Sequence, residues 1–240
     1  MHYVALLYGD ETQAAEPGTP EWDAELAGYD AFGEIAGDRT VGGEALQPAS
    51  TTRTVRRDPA GALTVTDGPY AEVVEALGGF YVLETGTEDE AIELARALPA
   101  ATSGGVELRP MVMWDDRSAG QSALAGATRY LATIHGRDAD EPAPGTVEWD
   151  DGAAEHGRFA AEAGDALTAC GALRKADTAR TVRVRAGEAL VTDGPFAEGT
   201  EVVGGFYVLR STDPDDAVAL AARIPVGPGG AVELRPVMEF

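Results

Sequence analysis

The stretch VTDGPYAEVVEALGGFYVLE, residues Val65–Glu84, returns as VTDGPFAEGTEVVGGFYVLR, residues Val191–Arg210. Fourteen of these 20 positions are identical, at an offset of 126. Internal repetition of this length sets the architecture before any local reading does. Working outward, Val106-Glu-Leu-Arg-Pro110 returns as Val232-Glu-Leu-Arg-Pro236 at the same offset. Tyr3–Gly9 aligns with Tyr130–Gly136, and Trp22 with Trp149, at an offset of 127. The one-residue change falls near Asp58-Pro59, in a turn, where a deletion is tolerated. The chain therefore reads as a tandem duplication: copy one over residues 1–114, a Ser/Ala/Gly-rich linker over 115–127, and copy two over 128–240.

Each copy predicts the same elements. Tyr3–Tyr8 and Tyr130–His135 are strand-like apolar runs. Trp22, Leu26, Tyr29 and Phe32 recur at near-helical spacing, which predicts a helix over about Pro20–Ala36 and, in copy two, Val147–Thr168. Thr52–Arg57 pairs back on Leu63–Thr66, and Thr181–Arg185 on Leu190–Thr192, as hairpins. Gly79–Glu84 and Gly205–Arg210 are strands, Thr87–Leu98 and Asp213–Ile224 helices capped by Thr87 and by Thr212 or Asp213, and Val106–Met113 and Val232–Phe240 closing strands. The order β-α-β-β-β-α-β is ferredoxin-like with an inserted hairpin, so the class is α+β. A sheet covered on one face leaves the other bare, which is costly. Packing two sheets face to face solves this, giving an intramolecular pseudo-dimeric α+β barrel with two related pockets between sheet and helices or loops.

The formal net charge is -23. Such a surface opposes phosphate backbones and anionic bilayers, so neither nucleic acid nor membrane is expected as a partner. The single cysteine, Cys170, forbids an internal disulfide, and it reads as an inert buried thiol. The apolar start Met1–Tyr8 lacks a basic region and a cleavage site, and no apolar run is long enough to span a membrane. A cytoplasmic chain is expected, acting as a fused pseudo-dimer and otherwise a monomer. No nucleotide-binding glycine loop, zinc spacing or nucleophile elbow is present, so neither cofactor nor metal is expected.

Asp67-Gly-Pro-Tyr70 and Asp193-Gly-Pro-Phe196, each followed by Ala-Glu and then Gly-Gly-Phe-Tyr, carry a resemblance. With Tyr3–Glu11, Gly42–Pro48 and Val106–Pro110, they make the chain similar to the YCII-related proteins, in the subgroup marked by a DGPF motif. The resemblance implies a dimeric α+β barrel, built here by fusion. It implies a poorly characterised activity: some relatives resemble small enzymes acting by proton transfer, on muconolactone-like substrates, and others accompany sigma factors. Broader relatives pair a first-helix histidine with an aspartate after the second helix. His156 matches that histidine, Tyr29 stands at its place in copy one, and no acid follows the second helix at Leu98–Ala101 or Ile224–Gly227. The usual lysine between the two glutamates is Val74 and Thr200 here.

Candidate residues carry two readings each. Asp67 and Asp193 either cap an Asp-Gly-Pro turn or act as acid or base at a pocket mouth. Glu72 and Glu75, with Glu198 and Glu201, are either a solvated loop or carboxylates that perturb one another. Tyr8 and His135 end the first strand of each copy; His135 and His156 are structural or general bases. Arg53 and Arg180, with Arg109 and Arg235, either pair with surface acids or hold an anion. Trp22, Trp149, Tyr81 and Tyr207 are core or pocket wall. Both candidate histidines lie in copy two, so chemistry is expected there. The function expected is binding of a small organic molecule. The alternatives are a small isomerase or lyase working by proton transfer through Asp193, Asp67, His135 and His156, or a module that binds a regulatory partner.

Overall fold

A continuous apolar run, buried from Tyr3 to Leu7, builds the first strand, and a threonine followed by a proline starts the first helix. The Thr19 hydroxyl accepts from the Trp22 amide, Pro20 stands in the first turn, and Thr146 caps Trp149 in the same way. The computed structural model describes residues 1–58, 60–70, 75–119, 125–140, 142–197, 201–227 and 229–239. Copy one runs β1 (His2–Asp10), α1 (Pro20–Ala36), β2 (Thr40–Ala45), β3 (Arg53–Arg57), β4 (Leu63–Asp67), β5 (Glu75–Glu84), α2 (Glu88–Ala97), α3 (Pro99–Ser103) and β6 (Gly105–Asp116). Copy two runs β7 (Thr128–Arg137), α4 (Val147–Ala163), β8 (Leu167–Leu173), β9 (Arg180–Arg185), β10 (Glu188–Asp193), β11 (Glu201–Ser211), α5 (Pro214–Ala221) and β12 (Ala231–Pro236).

The class is α+β, as expected, but each copy holds one strand more than the sequence pattern predicts. That strand is β2, or β8 in copy two. In copy two the helix stops at Ala163, where Gly164 turns at φ 53, and Thr168 lies in β8. These strands are glycine- and alanine-rich, so they carry no apolar alternation to read. What makes them strands is the partner: a Cβ on Gly79 of β5 would stand 2.7 Å from the Glu44 carbonyl, so glycine alone lets β2 approach. Asp213, rather than Thr212, caps α5.

The chain divides into two compact units that differ from the sequence copies. The first holds β1, α1, β2, β5, α2, α3 and β6 as far as Met111, together with the β9–β10 hairpin of copy two. Its sheet is antiparallel in the order β2-β5-β1-β6-β9-β10. The second holds β7, α4, β8, β11, α5 and β12, together with the β3–β4 hairpin of copy one. Its order, β8-β11-β7-β12-β3-β4, repeats the first. Four strands of each sheet thus follow the ferredoxin-like order, and each hairpin extends the other repeat's last strand.

The borrowed hairpins are part of each unit's core. Val182 of β9 packs with Phe32, Leu83, Leu94 and Leu98 in the first unit. Val55 of β3 packs with Phe159, Leu209 and Ile224 in the second. Each buried aliphatic side chain contributes on the order of 1.5–3 kcal/mol. Polar ties follow the same plan. Arg185 donates to the carbonyls of Ala101, Thr102 and Gly104 at the end of α3, and Arg57 to that of Ala222 after α5. These carbonyls have no partner within their own helices.

Candidate functional site with a twin in each unit

The repeated Val-Glu-Leu-Arg-Pro strand builds the site. Side chains alternate across a strand, so Val106 and Leu108 of β6 enter the helix-packed core while Glu107 and Arg109 point to the sheet's other face. Glu107 and Arg109 are each only 2% exposed, and they form an ion pair. Buried charges are tolerated only when paired and hydrogen-bonded. The carboxylate finds a second donor in the Phe196 amide, 2.9 Å from Glu107 Oε2. Phe196 is delivered by the Asp-Gly-Pro turn after β10. Gly194 sits at φ 97, donates its N–H to the Ala179 carbonyl, and accepts at its own carbonyl from the Thr181 hydroxyl at 3.0 Å. Phe196 then stacks on Tyr8, with centroids 4.6 Å apart and planes 8° apart, and the Arg183 guanidinium lies 4.4 Å from its centroid.

The second unit repeats this geometry with different chemistry. Arg235 Nη2 donates to Glu233 Oε1 at 2.7 Å, and Nε donates to the Thr52 hydroxyl at 3.0 Å. The Tyr70 amide donates to Glu233 Oε2 at 3.1 Å. Its turn is held alike: Gly68 at φ 93 accepts from the Thr54 hydroxyl at 2.7 Å. Tyr70 stacks on His135 at 5.0 Å, and Arg56 lies 4.1 Å from the Tyr70 centroid. Histidine thus replaces Tyr8, and tyrosine replaces Phe196. The first unit's pair has no imidazole; the second pairs an imidazole with a phenol, so it carries a group that can take a proton near neutral pH.

Burial dominates the His135 ring and pulls its pKa below the usual histidine value. Arg235 and Arg56 act in the same direction, while Glu233 and Glu201 oppose them. The ring is therefore neutral at pH 7. Its Nε2 lies 2.9 Å from the Thr133 hydroxyl and 4.0 Å from Glu233 Oε2. The Thr133 hydroxyl also reaches the Glu233 carbonyl at 3.4 Å; donating there, it accepts from Nε2–H in the tautomer that leaves Nδ1 unprotonated. A carboxylate facing Nε2 favours the same tautomer. Nδ1 keeps its lone pair, and among the described residues nothing hydrogen-bonds to it. The Tyr70 hydroxyl is sequestered from solvent; burial and then the Glu201 carboxylate push its pKa up to about 12.

The other sequence candidates fall outside this cluster. Asp67 and Asp193 are exposed (83% and 91%) and pair with Arg53 at 2.9 Å and Arg180 at 3.5 Å across their hairpins. At that exposure neither carboxylate is desolvated, and each makes a surface ion pair. Arg180 also reaches Glu88 at 3.5 Å. Glu75 is exposed at the start of β5, Glu201 opens β11 next to Tyr70, and Glu72 and Glu198 lie outside the described residues. Tyr81 and Tyr207 belong to the helix-packed cores, against Phe32 and Phe159 at 5.0 Å each. His156 on α4 forms a separate pair with the Tyr207 hydroxyl, 2.8 Å from Nδ1, and burial lowers its pKa. Tyr29 meets Tyr81 at the equivalent place in the first unit. Cys170 is buried, and burial pushes its thiol up to about 11. A cavity of about 330 Å³ lies away from the Asp-Gly-Pro turn, between α4 and the end of α5, lined by Arg57, Glu155, Arg158, Glu162, Arg223 and Ile224.

The sequence reading missed Glu107, Glu233, Thr133 and Arg56. A signal existed for the first two. Glu and Arg at alternate positions of an apolar strand must share one face, and their recurrence in both copies marks that face as inward. Among the described residues no group of three His, Cys, Asp or Glu side chains is arranged to hold a metal. No helix among them is long and apolar enough to cross a membrane.

Two α+β repeats in one chain, each with a buried Glu–Arg pair under a Gly-Pro-aromatic turn, define a duplicated ferredoxin-like protein. The model of the YCII-related domain matches residues 1–115 and again 128–240, and the chain belongs to that family. Two such domains in one chain fit the tandem duplication and the α+β class expected from the sequence. An uncharacterised protein of Rhizobium meliloti (strain 1021) is 30% identical over 118 residues, covering 48% of this chain and 94% of that protein. One repeat here therefore matches nearly the whole of that relative.

Proposed function

We propose that this chain is a DGPF-type YCII-related protein that binds a small organic molecule at the His135–Tyr70 cluster of its second unit. The observation that carries this reading is a neutral, half-buried imidazole with Nδ1 left without a hydrogen-bond partner among the described residues, beside a shielded tyrosine hydroxyl. Small-molecule sites combine apolar walls with a few such convergent polar groups. A second reading, proton transfer by an isomerase or lyase, is favoured by the same nitrogen: a neutral imidazole is a competent general base near pH 7. On this reading the first unit, with Tyr8 and Phe196, serves as structural partner. The chain would work as a monomeric, cytoplasmic pseudo-dimer without cofactor or metal.

The test is a calorimetric screen of small organic acids and lactones against wild type, His135→Gln and Asp193→Asn. Binding that survives Asp193→Asn and is lost in His135→Gln supports the proposal. Binding lost in Asp193→Asn and kept in His135→Gln moves the ligand to the turn. No binding at all, with a protein captured by the intact chain, supports the partner-binding alternative instead.

A further inference from the structure

We propose that Glu233 is the positioning residue of the second unit's site: its carboxylate seats Tyr70, from the other repeat, beside His135 and fixes which ring nitrogen of His135 is offered to a ligand. This rests on the binding role proposed for that cluster. Both carboxylate oxygens are committed. Oε1 takes Arg235 at 2.7 Å, and Oε2 takes the Tyr70 amide at 3.1 Å while facing His135 Nε2 at 4.0 Å. One side chain therefore ties together β12, the turn after β4 and the imidazole on β7. The charged groups acting on the ring are Glu233, Glu201, Arg235 and Arg56, from β12, β11 and β3. Glu233 is the nearer carboxylate in influence, and it stands on the Nε2 side.

The twin site separates positioning from mere structure. Glu107 makes the same ion pair and accepts the same backbone amide, from Phe196, but faces no histidine. A purely structural glutamate would behave alike in both units. The measurement is the pH dependence and tautomer of His135 by nitrogen-15 NMR on the full chain, for wild type, Glu233→Gln and Glu107→Gln. Removing a facing negative charge lowers a histidine pKa, so Glu233→Gln shifts His135 down by about one pH unit and mixes in the Nδ1–H tautomer. Glu107→Gln leaves both unchanged. A His135 signal indifferent to Glu233→Gln, or one that moves equally in Glu107→Gln, overturns the proposal.

Glu233→Gln also removes the carboxylate that pairs with Arg235, so Glu233→Asp provides a second variant that keeps the charge. Shortened by one methylene, it cannot hold Arg235 and the Tyr70 amide together. The ring-current shift of Tyr70 on the His135 protons falls while the Nε2–H tautomer persists; an unchanged shift contradicts the seating role. Neither readout needs a ligand. Failure of the small-molecule screen thus leaves Glu233 judged on its own result.

Discussion

Replacing Gly105 by alanine probes how the borrowed turn is seated. A Cβ built on Gly105 stands 2.5 Å from the Phe196 ring and 3.2 Å from Arg183. The ring is pinned between Tyr8 and that arginine, so relief requires loosening both contacts. Overpacking of this kind costs about 1–3 kcal/mol. Alanine also gains about 0.5–1 kcal/mol over glycine within a strand. Copy two shows the site's tolerance, because Ala231 stands at the equivalent position and the stack there is wider, 5.0 Å and 21° against 4.6 Å and 8°. A net loss of about 1 kcal/mol follows, lowering Tm by roughly 2–4 °C for a chain of this size. The assay is thermal unfolding of Gly105→Ala in wild-type and Phe196→Ala backgrounds. Without the ring, the substitution becomes neutral or slightly stabilising, so the two effects are strongly non-additive. An equal cost in both backgrounds refutes the claim that Phe196 of one repeat lies against Gly105 of the other.

Further outcomes follow from the same geometry. Val55→Ala and Val182→Ala each cost about 2 kcal/mol by hollowing a core that each hairpin completes; urea denaturation showing neither effect would place both valines outside the cores. In acid, His135 and His156 have depressed folded pKa values, so the unfolded chain takes up protons that the folded chain refuses. Stability is complete above about pH 6.5 and falls below it, by at most about 1.4 kcal/mol per pH unit for each histidine until its folded pKa is passed. His135→Gln removes its share of that slope; an unchanged acid limb in chemical denaturation would show that the folded ring takes up its proton at the same pH as the unfolded one. At the alkaline end, Tyr70 keeps its proton to about pH 12, so its phenolate absorbance appears later than that of a free tyrosine.

The sequence made the duplication, the α+β class and the main helices legible, because each leaves a periodic or repeated trace. Strands β2 and β8 left none: Gly42 and Gly43 pair with Val82 and Tyr81 of β5, and a Cβ on Gly43 would stand 2.9 Å from the Phe80 carbonyl. The exchange of hairpins was also hidden. Alternation in Arg53–Arg57 says that Val55 is buried, but either unit's sheet edge would satisfy it. At the site, comparing the copies exposed Tyr8 against His135, the substitution that distinguishes the two units. Asp67 and Asp193 drew attention as acids, yet their side chains lie in solvent beside arginines, and the Gly-Pro that follows serves to deliver Tyr70 and Phe196. The acids that matter to the geometry, Glu107 and Glu233, sat inside apolar strands where burial, not motif, reveals them.

The most direct test of the account is titration of wild type and His135→Tyr with the best small organic acid or lactone from a binding screen. His135→Tyr gives the second unit the tyrosine of the first while preserving an aromatic stack. The account predicts saturable binding to wild type that is lost in the variant, with the fold intact by circular dichroism. Undiminished binding to His135→Tyr would contradict it, and would move the site away from the His135–Tyr70 cluster.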